Sequence, residues 1–215
     1  TSFLKAVDRS GLELVGINLF GGDMAAGDRG ILSWPDHREQ FRASVRAAKS
    51  VVEATGCGSV NALYGRRRGD LALEDQDGCV LENLEFAASQ LGPAGATIAL
   101  EALSGFEDYL LKTAGDVMAV IERADERGLH VGMQLDVYHH WLNGDEVDRV
   151  IRDFAPRITH VQLADGPGRG APGTGGLPLA EWVDHLASVG YERRFALEFI
   201  GDGDDPLAGL GEEWR

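Results

Sequence analysis

Apolar positions along this chain switch repeatedly between helical and extended spacing, and the switching lays out its elements. Phe3, Leu4 and Val7 share one helical face, and Gly11 stops that helix. A strand follows over 12–19, then a Gly-rich loop from Gly21 to Gly30 that holds Asp23, Asp28 and Arg29. Phe41, Val45, Ala48 and Val52 recur at helical spacing and predict a helix over 36–55, started by Asp36 and ended by Gly56. The second strand is expected over 59–64, a charged surface loop over 65–77, and a helix over 78–91 with Pro93 beyond it. Arg66-Arg67-Arg68 in that loop could grip an anion, but a charge run reads first as a solvated edge.

The second half repeats the scheme. A strand over 97–101 leads through Gly105, Phe106 and Tyr109 to a helix over 114–127, which Thr113 and Asp116 start as a capping box and Gly128 closes. A strand over 130–136 is followed by a loop through Trp141, Asn143 and Gly144, then a helix carrying Val147, Val150, Ile151 and Phe154. The strand over 158–163, the Gly/Pro-rich loop 166–178, the helix 179–189 and the strand 194–199 complete the pattern, before a Gly/Asp-rich tail.

Strand and helix therefore alternate six times, which predicts a parallel sheet covered by helices. The strands are short and apolar, as strands buried on both faces are. An open doubly wound sheet and a closed barrel both meet this description. No Gly-x-Gly-x-x-Gly follows the first strand, which argues against a dinucleotide fold. Polar residues stand at the C-terminal ends of the last four strands, where barrel active sites are built. The expected fold class is α/β of the (β/α)8 TIM barrel type, with about six βα units in this chain and residues 1–215 as one domain. On this reading two further units would precede Thr1.

Composition narrows the function. A net charge of −15 repels a nucleic acid backbone and an anionic membrane surface, so neither is an expected partner. The two cysteines, Cys57 and Cys79, match neither a zinc site nor a disulfide framework. Reduced thiols and the lack of a membrane-length apolar run lead to a cytoplasmic expectation. The expected partner is a small molecule, and a homo-oligomer is left open.

The densest polar run is Gln134-Leu135-Asp136-Val137-Tyr138-His139. Polar groups on a buried strand cost several kcal/mol unless bound or paired. Three more strands end alike, in Glu101, Gln162 and Glu198. A lone strand-end glutamate reads as a salt-bridge partner, but four hard ligands on successive strands point to one divalent cation. The all-oxygen set Glu101, Asp136, Gln162 and Glu198 suits Mg²⁺ or Mn²⁺. A metal chelating a hydroxyl and the adjacent carbonyl acidifies the C–H between them. Two carboxylates, with Glu101 and Glu198 as the outermost candidates, could then move a proton from one carbon to the next. That is aldose–ketose isomerisation through an enediolate. His139 could hydrogen-bond a substrate oxygen, whereas His140 reads as structural. Arg169 reads equally as a substrate contact or a solvated loop arginine.

At these residues the chain resembles the hydroxypyruvate isomerase family, within the xylose isomerase-like TIM barrels. The likeness rests on Asn18-Leu19, Gly22–Gly30, Ile98–Leu103, Asp136–His139, His160–Asp165, Pro167-Gly168-Arg169, Pro172–Gly175, Leu197–Phe199 and Gly209-Leu210. The resemblance implies a metal-dependent barrel that interconverts hydroxypyruvate with tartronate semialdehyde, or a related 2-oxo acid with its isomer. It also implies metal ligation by Glu101, Asp136, Gln162 and Glu198, with both glutamates as acid and base. Ser104 stands where the family pattern has Asn, Asn61 where His is common, and the segment 66–79 is unusual for the family. A sugar 3-epimerase or an inosose-type isomerase or dehydratase would use the same ligands. An apurinic endonuclease-like protein would need several His ligands and a basic groove, which this chain does not offer. A non-catalytic truncated homologue would show neither bound metal nor turnover.

Overall fold

The structure, a computed structural model, describes residues 2–201, 210 and 214. Six parallel strands form one sheet in sequential order: β1 (Gly16–Asn18), β2 (Ser59–Asn61), β3 (Thr97–Glu101), β4 (Val131–Asp136), β5 (Ile158–Leu163) and β6 (Phe195–Leu197). The arc is the wall of a TIM-type barrel, with β1 and β6 at its two edges.

Helices connect the strands: α1 (Ser2–Ser10) precedes β1, and α2 (Arg38–Thr55), α3 (Leu73–Leu91) and α4 (Ala114–Asp125) lie in the first three crossovers. Next come α5 (Val137–Leu142), α6 (Val147–Phe154) and α7 (Leu179–Ser188). Phe41, Val45, Ala48 and Val52 of α2 are buried, and the helix ends where Gly56, at φ +72°, turns its N–H back to the Val52 carbonyl. The expected capping box of α4 is present: Thr113 accepts from the Asp116 amide while the Asp116 carboxylate accepts from the Thr113 amide.

Four expectations need correction. Asp36 does not cap α2: a 3-10 turn over Pro35–His37 leads into the helix, and the Asp36 carboxylate instead accepts from Arg68 Nη1 at 2.7 Å. The first two strands are shorter than 12–19 and 59–64. β1 is an edge with one neighbour, and the chain after β2 turns so that Tyr64 bridges antiparallel to Gly30. The third helix begins at Leu73, five residues before its expected start, because Gly78 hides a first turn whose Gln76 is buried. The stretch after Asp136 is helical, as α5. The Gly/Asp-rich tail from 202 to 209, Gly209 included, lies outside the described residues.

The triple arginine is internally engaged. Arg66 pairs with Asp108, Arg67 donates to Gln76 Oε1 and the Leu71 carbonyl, and Arg68 pairs with Asp36 and Asp70. Arg29 lies over the Phe106 ring at 4.4 Å and Arg66 over it at 5.8 Å, so the loops after β1, β2 and β3 are tied together. Among the described residues, no helix is long and apolar enough to cross a membrane.

Candidate active site

Parallel pairing with a period of two sends alternate residues of every strand to the same side. Register sets Asn18 beside Asn61, Glu101 beside Gln134, and Asp136 beside Gln162. The barrel-facing row is therefore polar, and it sits at the C-terminal strand ends.

Glu101 ends β3 and is 5% exposed. Its Oε2 accepts from Asn61 Nδ2 at 2.6 Å, and the same amide nitrogen donates to Asn18 Oδ1 at 2.9 Å. Burial, and then the Asp136 and Glu198 charges, push the Glu101 carboxyl up to about 8, with the Gln134 and Asn61 amides only partly offsetting them.

Asp136 ends β4 and is 1% exposed. It divides its two oxygens between structure and site. Oδ1 accepts from the Tyr138 and His139 amides, at 2.9 and 3.1 Å, and so starts α5. Oδ2 accepts from Arg169 Nη2 at 2.7 Å. The first turn of α5 then carries His139 over the strand ends. His139 Nδ1 meets Ser104, with Oγ at 2.7 Å and the amide nitrogen at 3.1 Å, and burial lowers the imidazole to about 4. Glu101, Asp136 and His139 offer ligand atoms within 4.8 Å of one another, a potential metal-binding triad.

Arg169 joins Glu198 to this group. Its Nη2 lies 3.3 Å from Glu198 Oε2, its Nη1 2.8 Å from His139 Nε2, and its Nε donates to the Glu198 carbonyl at 3.1 Å. Glu198 stands at the open side, its side chain half exposed; partial burial raises its carboxyl, while Arg169 pulls it down. Gln162 faces the same row, but its Oε1 accepts from Gln134 Nε2 at 2.9 Å. His140 is fully buried against Asp145, at 2.6 Å, in keeping with a structural role.

The loop carrying Arg169 is built around Asp165. Its carboxylate accepts four backbone N–H groups: Gly166 and Leu177 on Oδ1, and Gly173 and Gly175 on Oδ2, all between 2.8 and 3.0 Å. Gly175 is obligatory here, since a Cβ would stand 2.3 Å from the Gly166 carbonyl oxygen. Asp165, Gln134 and Ser104 carry no role in the sequence reading. Gln134 was within reach of it, because a residue two before Asp136 on a strand shares its face.

The donor set fits a hard divalent cation: Glu101, Asp136 and His139 offer ligand atoms within 4.8 Å of one another, Glu198 shares Arg169 with Asp136, and burial together with neighbouring carboxylate charge holds Glu101 far above the ordinary carboxylate range.

Comparison with known proteins agrees with this architecture. The family model described as xylose isomerase-like TIM barrel matches residues 1–215. A hydroxypyruvate isomerase homologue of Streptomyces coelicolor is 41% identical over 209 residues, covering 95% of this chain and 75% of that protein. The hydroxypyruvate isomerase of Escherichia coli is 33% identical over 158 residues, 74% of this chain and 61% of that protein. A crystal structure of an AP endonuclease, family 2 protein from Brucella melitensis superposes with a TM-score of 0.86 at 28% identity, covering 96% of this chain and 80% of the other. The chain belongs to the hydroxypyruvate isomerase family, a family of isomerases built on the xylose isomerase-like TIM barrel.

Proposed function

We propose that this protein is a divalent-metal-dependent isomerase of hydroxypyruvate, or of a closely related small 2-oxo sugar acid, and that it acts through an enediolate. The observation that carries the reading is geometric: buried Glu101 and Asp136 stand with His139, their ligand atoms within 4.8 Å of one another, and the half-exposed Glu198 shares Arg169 with Asp136. Glu101, Asp136, Gln162 and Glu198 would hold Mg²⁺ or Mn²⁺; Gln162 would turn its Oε1 away from Gln134 to do so. The bound ion supplies Lewis-acid polarisation of the substrate's hydroxyl and carbonyl oxygens.

The protein's own groups do the rest. Arg169 takes the substrate carboxylate, which orients the three-carbon acid. His139, fixed at Nδ1 by Ser104, turns Nε2 toward the carbonyl oxygen. One of Glu101 and Glu198 removes a proton from the hydroxymethyl carbon, breaking that C–H bond. The other delivers a proton to the former carbonyl carbon, while the hydroxyl proton passes from one oxygen to the other, so the isomer forms with no net gain or loss.

The test is turnover of hydroxypyruvate in D₂O with Mg²⁺ or Mn²⁺ supplied. Metal-dependent isomerisation, lost on chelation and in Glu198→Gln with the circular dichroism spectrum preserved, is the expected result. Undiminished turnover after chelation, or in Glu198→Gln, overturns the reading.

A further inference from the structure

Arg169 is a substrate contact in the reading above, yet its guanidinium lies among the carboxylates that would bind the metal. Nη2 touches Asp136 Oδ2 at 2.7 Å and Glu198 Oε2 at 3.3 Å. The side chain is only 15% exposed, and Asp136 is its innermost partner at 1%. A divalent ion on these two oxygens would stand close to the guanidinium, so two cations would compete for one pair of carboxylates.

The opposite side of the guanidinium is mismatched. Nη1 stands 2.8 Å from His139 Nε2, and the Ser104 amide nitrogen stands 3.1 Å from His139 Nδ1. Both groups can only donate. A neutral imidazole has one acceptor nitrogen, and an imidazolium has none, so in no protonation state are both contacts hydrogen bonds. Where Nδ1 accepts from the Ser104 amide, the arginine contact is repulsive; where Nδ1–H donates to Ser104 Oγ at 2.7 Å, Nε2 accepts from Arg169 and the amide contact is lost, so Arg169 and the Ser104 amide trade one acceptor. The arginine's own backbone adds a second cost: Arg169 is the one non-glycine residue at positive φ among the described residues, at +57°. Arg169 is thus held most strongly by two carboxylates; Nε on the Glu198 carbonyl, the Tyr138 ring at 5.4 Å and the Ile200 amide on its own carbonyl anchor the rest of the residue at the rim.

We infer that Arg169 is the internal counter-cation of the site: a divalent ion and the guanidinium compete for Asp136 Oδ2 and Glu198 Oε2, and metal loading releases the arginine to receive a substrate carboxylate. This rests on the metal site proposed above. It deepens that proposal by making the arginine's two roles alternate, and by assigning the substrate an anionic group that replaces the carboxylates Arg169 gives up.

Calorimetric titration of the metal-stripped chain with Mn²⁺ alone tests it, without reference to turnover. Arg169→Gln removes the competing charge, and Arg169→Gly does so while also suiting the positive φ, so one of the pair reports even if the other perturbs the loop. Both are expected to bind Mn²⁺ about tenfold more tightly than the wild type, the worth of one partly buried charge-assisted pair. Arg169→Lys, which keeps a competing cation, is expected to stay near the wild-type affinity. If the wild type binds Mn²⁺ and the neutral variants bind it equally or more weakly, the competition is refuted and the metal site stands. If neither the wild type nor the variants bind Mn²⁺, the metal site itself is refuted, and this inference with it.

Discussion

Asn61 donates its amide to the buried carboxyl of Glu101 across 2.6 Å while sharing the same nitrogen with Asn18, and its own Oδ1 has no partner among the described residues. One strand-end amide thus fixes the rotamer of the group proposed to carry a proton. Asn61→Ala would leave Glu101 Oε2 without that donor. Its expected cost is about 1–3 kcal/mol in urea denaturation of the metal-free protein, with a weakened affinity for Mn²⁺. An unchanged midpoint would show that the contact contributes nothing to the fold.

The pH dependence of stability follows from two opposed shifts. Metal-free Glu101 is raised from 4.5 to about 8, so between those values the folded chain keeps a proton that the unfolded chain has released. Stability from this group therefore falls as pH rises, by at most about 1.4 kcal/mol per pH unit. His139 is lowered from 6.5 to about 4, so its contribution is lost as pH falls through that range. The slopes oppose one another where they overlap, and of these two groups only Glu101 acts above 6.5. Denaturation in EDTA across this range should show stability declining toward pH 8, a decline that Glu101→Gln removes and saturating Mn²⁺ abolishes.

Asp136 allows its two jobs to be separated. Asp136→Asn keeps an acceptor for the α5 amides and loses the charge, whereas Asp136→Ala loses both. Both variants should lose Mn²⁺ binding in calorimetry. The alanine variant should also be about 1 kcal/mol less stable than the asparagine variant, the typical worth of a helix cap. Equal stability would mean that Oδ1 does not start α5.

Asp165 supports the rim without touching the site. Asp165→Ala would strand four backbone N–H groups, and the loop between Gly166 and Leu177 should become readily cleaved in limited proteolysis while the far-UV spectrum is retained. Isomerase turnover should fall through a raised KM, because Arg169 is no longer held in place. Protease resistance equal to the wild type would overturn this role.

The sequence reveals the repeating strands because they are short apolar runs between amphipathic helices, and it reveals the ligand-bearing ends because the last four runs each finish in a hard oxygen ligand. It likewise exposes the Thr113–Asp116 capping box, which needs only a three-residue spacing. The α5 helix was hidden because Val137 to Leu142 is β-branched and aromatic, poor helix formers that a buried carboxylate nevertheless starts as a helix. Ser104 and Arg169 meet at opposite nitrogens of His139 although 65 residues separate them in the chain, a contact created by the barrel rather than by any local spacing. Asp36 shows the reverse case: a residue suited to capping was drawn to Arg68, 32 residues away, because an ion pair outcompeted the local amides.

The ring of amides around Asp165 bears on how specificity could be re-engineered in this family. Four hydrogen bonds, and the antiparallel bridge between Asp165 and Gly170, are internal to the segment that runs from Asp165 to Leu177. The arch is shaped by a residue of its own and tied outward through Arg169, whose carbonyl accepts from the Ile200 amide at 2.7 Å, so it can be exchanged as a cassette on the end of a strand if the residue at that tie is kept. A graft meant to change which acid is accepted should carry Asp165 with it and be joined at Ala164 and Leu177, leaving the ligand-bearing strands as the constant frame.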